Sequence, residues 1–110
     1  MRRLIALLVL TPFAAQAAGI DPEAKSIMTG RCAMCHVIPG VPGAFGDMGP
    51  SLKGIATRPT IAGKLPNNPA NMVKWLTNPQ QAVPGAKMPP PGLTPAQVTK
   101  VAAYLATLDK

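Results

Sequence analysis

The chain has 110 residues, a net charge of +7 and only four aromatic side chains. That length supports one small domain, and so few aromatics cannot by themselves fill a substantial core. The excess positive charge contains no basic run and accompanies neither an aromatic platform for bases nor a nucleic-acid-binding motif, which argues against nucleic acid as the partner.

Met1-Arg2-Arg3 is a short positive region, and Leu4–Leu10 is an apolar run that continues weakly to Ala14. Ala15-Gln16-Ala17 has the small-x-small form of a signal peptidase site, so residues 1–17 read as a signal peptide and 18–110 as the mature domain. The run is shorter than the roughly 20 apolar residues a membrane span requires, so no stable membrane insertion is expected after cleavage. No cysteine follows it that would take a lipid anchor. Arg2 and Arg3 leave with the signal, and the mature chain remains mildly basic, which suits an acidic protein partner or an anionic surface.

Asp21-Pro22-Glu23 predicts a helix start, with Asp21 as cap, and Ala24, Ile27 and Met28 fall at helical spacing on one buried face. The helix delivers the chain to Cys32-Ala33-Met34-Cys35-His36, the attachment pattern of a c-type haem. Two thiols one turn apart can add to the two porphyrin vinyl groups, and the histidine that follows is held where it can bind iron. The competing readings are a redox dithiol, which would want an α/β pattern around the motif, and a zinc site. Zinc would lack a fourth ligand of the usual kinds, because the chain has no third cysteine and no second histidine.

Beyond His36 the proline- and glycine-rich stretch 39–43 admits neither helix nor central strand, and Phe45 is expected to anchor this loop. Gly49-Pro50 reads as a rigid turn in which a proline carbonyl can accept the second ring N–H of His36; a plain surface turn is the alternative. A short helix is expected at 51–56 and a loop at 58–67. Asn68-Pro69 starts the second main helix, with Met72, Val73 and Leu76 on its buried face and Trp75 beside them. Asn78-Pro79 ends it, and residues 79–93 read as a proline-stiffened covering loop with Met88 at its middle. Thr94-Pro95-Ala96-Gln97 combines a cap, a first-turn proline and a capping-box glutamine. Val98, Val101, Ala102, Leu105 and Leu108 then follow helical spacing, with Tyr104 adjoining. No alternating strand pattern stands out, so the fold is expected to be all-α: three main helices and long loops around one covalently attached haem.

With no second histidine, a sixth iron ligand is expected to be a methionine. Met34 lies within the attachment turn, Met28 and Met72 fit core stripes, and Met48 precedes the turn assigned to the His36 side, which leaves Met88.

These residues, taken together, resemble a class I cytochrome c over the whole mature chain. The order helix, Cys32–His36, Gly49-Pro50, middle helix, Met88-Pro89 and a last helix carrying Tyr104-Leu105 is that of the family. More closely, Gly49-Pro50-Ser51-Leu52, Arg58, Ala62–Asn67, Trp75-Leu76, Asn78-Pro79-Gln80 and Met88-Pro89 look like the cytochrome c domain of caa3-type oxidase subunit II, here expected as a free-standing version. The resemblance implies haem c on Cys32 and Cys35, iron ligation by His36 and Met88, support of His36 by Pro50, and an approach of Arg58 and Trp75 to the haem propionates. It implies a one-electron carrier, not an enzyme, that exchanges electrons with a terminal oxidase or a periplasmic dehydrogenase; the signal peptide makes its expected location periplasmic, and the positive balance suits an acidic docking surface on the partner. A haem c subunit of such a complex, or a ligand-binding haem enzyme or sensor, are the other functions this pattern admits. Met28 is expected to meet Tyr104 where the first and last helices cross.

Overall fold

The computed structural model describes residues 20–110; the expected signal peptide at 1–17 lies outside the described residues. Helix α1, Pro22–Arg31, starts where Asp21 accepts the Glu23 and Ala24 N–H groups at 2.8 and 3.1 Å. These two bonds satisfy donors that the first turn leaves orphaned, and Pro22 needs none. Helix α2, Pro69–Thr77, is capped by Asn68, whose side chain accepts the Asn71 N–H at 2.8 Å. A short helix α3, Pro79–Ala82, follows at once, and α4, Pro95–Leu105, opens with the reciprocal Thr94/Gln97 capping box.

Helix α4 is the common wall. Both α1 and α2 pack on it, and the core gathers Ala24, Met28, Leu76, Val98, Val101 and Leu105 from the three. Met28 is completely buried. On the polar edge of the α1–α4 contact, Lys100 reaches Asp21 at 3.3 Å and Glu23 at 3.0 Å. The Tyr104 hydroxyl donates to the Pro39 carbonyl, tying α4 to the loop after His36. Gly40 must be glycine there: its φ is +84°, and a Cβ would run into the Tyr104 oxygen.

Val73, expected on the buried face of α2, is exposed, and the structure departs from the expected fold in four further places. The first is an antiparallel pair, β1 (Thr60–Ile61) with β2 (Leu65–Pro66), inside the expected loop. Its turn is closed by the Lys64 N–H on the Ile61 carbonyl at 3.1 Å, and both central residues have positive φ, Ala62 at 53° and Gly63 at 73°. Two-residue strands are too short to display alternation. The second is the helix expected at 51–56, which is a single 3₁₀ turn, Ile55–Thr57, because Gly54 enters it in the left-handed region. The third is the covering loop, whose first four residues form α3: Asn78 ends α2 and then caps again, accepting the Gln81 N–H at 3.3 Å. The fourth is Phe45, 81% exposed and not an anchor. Ile38, Val41 and Ala44 fill the inward positions of that loop, while Phe45 lies in an antiparallel bridge with Val37 on the outside.

Candidate functional site

The attachment turn is an extension of α1. Cys32 donates its N–H to the Met28 carbonyl at 2.9 Å, and its own carbonyl accepts from both Cys35 and His36 at 3.1 Å. One tight turn therefore carries both thiols and the imidazole. Neither cysteine is in a disulfide; Cys32 is buried and Cys35 half-buried. Burial, with Cys35 beside it, pushes the Cys32 thiol up to about 11, so this position takes a neutral sulfur. A thioether is neutral by construction.

A second segment holds the histidine. His36 Nδ1 lies 2.7 Å from the Pro50 carbonyl oxygen. A carbonyl only accepts, so Nδ1 carries the proton and the neutral ring keeps its lone pair on Nε2, the state in which an imidazole binds a metal. The hydrogen bond also fixes the ring orientation. Gly49 permits this approach: a Cβ there would overlap the imidazole edge. The Gly49 N–H donates to the Cys35 carbonyl at 2.7 Å, which clamps the 49–50 turn directly onto the motif. Among the described residues no three His, Cys, Asp or Glu side chains cluster as a metal site would require, so a bare ion does not fit here. Two unpaired thiols in one turn and a tautomer-locked imidazole do fit a haem bonded through its vinyl groups, which brings its own four nitrogen ligands.

Arg58 is half-buried, and its Nη2 donates to the carbonyls of Ser51 at 2.6 Å and Lys53 at 3.0 Å, so it braces the segment following Pro50. Asn67 in turn holds the Arg58 carbonyl and that of Ile55, both at 2.9 Å. Trp75, on α2, is half-buried against the core. Met88 is half-buried in the loop between α3 and α4 and comes from an element separate from His36. Its carbonyl accepts from the Gln80 side chain, a contact that sequence reading missed. Met34, within the attachment turn, and Met48, in the loop that follows, are each 83% exposed. Open space does not mark this site: a groove of about 560 Å³ between α2 and α4, lined by Met72, Val73 and Ala103 among others, touches none of Cys32, Cys35, His36 or Met88.

The family model for cytochrome c matches residues 22–109. Cytochrome c2 of Rhodoblastus acidophilus is 38% identical over 98 residues, covering 77% of this chain and 90% of that protein. Cytochrome c of Nigella damascena is 34% identical over 101 residues, covering 80% and 89%. Cytochrome c oxidase subunit 2 of Alkalihalophilus pseudofirmus is 33% identical over 78 residues; these span 70% of this chain but 22% of that protein. The matched span takes in the Cys32–His36 turn, the 49–50 clamp and all four helices. The chain thus belongs to the cytochrome c family, electron carriers that hold one haem c covalently.

Proposed function

We propose that this protein is an exported, periplasmic one-electron carrier whose haem c is bonded to Cys32 and Cys35 and ligated by His36 and Met88. The haem supplies the iron, which changes oxidation state while no substrate bond is made or broken; the protein contributes ligands, shelter from water and a docking face. The observation that supports the reading is the His36 Nδ1–Pro50 carbonyl bond, which leaves Nε2 free to bind a metal within one turn of two unpaired thiols. Pro50 keeps the ligand oriented. Arg58 and Trp75 are assigned to the propionate side; the half-buried guanidinium of Arg58 would stay close to its carbonyl partners while facing an anionic group. Export is supported by the Arg2-Arg3 start, the short apolar run and Ala15-Gln16-Ala17. Among the described residues no helix is long and apolar enough to cross a membrane.

Redox proteins, a terminal oxidase or a dehydrogenase, are the partners. Arg31 precedes Cys32 and Lys87 precedes Met88, so each is tied by the chain to a residue assigned to the haem. Arg31 Nη1 also reaches the Met88 loop, 3.7 Å from where a Cβ on Gly92 would stand. Together they place positive charge at the rim and steer an acidic partner there, chiefly by raising the encounter rate.

The visible spectrum of the exported protein tests the assignment. Met88→Ala should keep the haem covalently attached, remove the sulfur-to-iron charge-transfer band, lower the potential and open the iron to cyanide. Loss of that band in Met48→Ala or Met72→Ala instead would refute the ligand assignment. The similarity to oxidase subunit 2 favours a second reading, a haem c subunit of an oxidase or dehydrogenase complex. Co-purification with membrane partners, against isolation as a monomer, separates the two.

A further inference from the structure

We infer that Gln80 is a positioning residue for Met88, and that its side-chain amide sets how readily the Met88 sulfur leaves the iron. The inference rests on the reading of Met88 as the axial ligand. The loop that carries Met88 has little to hold it. Pro84, Pro89, Pro90 and Pro91 have no N–H to donate. Among the described residues, the hydrogen bonds tying 84–93 to the rest of the chain are three. One is the Ala86 N–H on the Val83 carbonyl at 3.0 Å; the others run from Gln80 Nε2 to the carbonyls of Ala86, at 3.0 Å, and Met88.

Two carbonyls can only accept, so the amide nitrogen must face them and both its protons are used. Gln80 is itself fixed. Pro79 before it is fully buried, and the Val83 N–H returns to the Pro79 carbonyl at 2.8 Å, so α3 is a seated turn projecting one side chain across the loop mouth. A thioether is a weak ligand beside an imidazole and relies on being held in place. Removing Gln80 leaves the carbonyl of the ligand residue without its partner and the loop with one bond at its entrance. Local opening then becomes easier without unfolding the helices.

The test uses the ferric holoprotein and imidazole as the incoming ligand. Gln80→Ala and Gln80→Glu, the latter similar in shape but without the donor, should bind imidazole at least tenfold faster than the parent, a change equivalent to about 1.4 kcal/mol. Gln81→Ala, on the same short helix with its side chain exposed, should bind at the parent rate. Gln80→Lys, which restores N–H donors at similar reach, should recover most of the slow binding at neutral pH. Amide exchange supplies a readout independent of the iron: the Ala86 N–H should lose protection in Gln80→Ala while amides of α1 and α4 keep theirs. In the parent, Ala86 exchange and imidazole entry should report the same opening, which needs no variant.

Parent-like imidazole rates in Gln80→Ala and Gln80→Glu, in a background where Met88→Ala binds imidazole quickly, would overturn the inference and leave the ligand assignment standing. So would a lower melting temperature with unchanged imidazole entry, the mark of a purely structural glutamine. Parent-like binding in Met88→Ala would remove the ligand assignment, and the inference with it.

Discussion

Gly49 is the point of closest approach between the backbone and the histidine ligand. A methyl group there would meet the imidazole Cε1 and lie 2.8 Å from Nδ1, so Gly49→Ala must displace either the ring or the turn. Denaturant unfolding of the holoprotein should show a loss of about 1–3 kcal/mol, the usual penalty for overfilling a packed site, with a shifted visible spectrum as the ring turns. Other residues carry their information less openly. Cys32, Cys35 and His36 are legible in the sequence because covalent attachment dictates their spacing. Gln80 is not legible: its partners lie six and eight residues away across a loop that has no periodicity. Asn67 is similar, since its donors reach 12 and nine residues back to Ile55 and Arg58 and leave no local pattern.

Among the elements, the helices are legible from their first turns. Asp21-Pro22, Asn68-Pro69 and Thr94-Pro95 each pair an oxygen that accepts backbone N–H groups with a residue that needs no partner, and each opens a helix in the structure. The same Asn-Pro chemistry at 78–79 reads as a stop and is also a start, because a cap serves whichever helix follows it. The β1–β2 hairpin has no signal in the sequence, for a reason its turn explains. Tight hairpin turns with two positive φ values favour Asn-Gly, and here the first position is alanine. Ala62→Asn relieves that strain and should raise the stability of the holoprotein by about 0.5–1 kcal/mol, read as a higher denaturant midpoint at unchanged slope.

For the molecule as a whole, α4 is the wall on which the rest is assembled, and the contacts of its Lys100 with Asp21 and Glu23 should be visible in the pH dependence of folding. Backbone N–H groups of Ala24 and Glu23, and then Lys100, hold the Asp21 carboxyl below its usual range. Glu23 and Asp21 raise Lys100. A depressed acid stabilises the fold above its unfolded value, 3.8, and that contribution fades as pH falls through the lower folded value; a raised lysine stabilises below 10.5 and is lost as pH climbs past its folded value. Lys100→Gln should therefore melt below the parent between these limits, and the two melting curves should converge at both extremes. Part of the acid sensitivity should survive in the variant, because the backbone donors to Asp21 remain. The all-α plan was legible at this scale; the irregular stretches were not, since their shape follows from packing between Ile38, Val41, Ala44 and the helices, with no local pattern to announce it.

The outward turn of Met34 and Met48 also gives the protein a built-in record of chemical damage. Sulfur in solvent is oxidised to the sulfoxide readily, whereas the wholly enclosed Met28 and the buried Met72 are shielded by their neighbours. Under limited peroxide treatment, peptide mapping should find Met34 and Met48 modified first and Met28 and Met72 last. The order would invert only if the Met34 and Met48 side chains were turned inward, so a mass spectrometer alone can tell which side of these segments meets water.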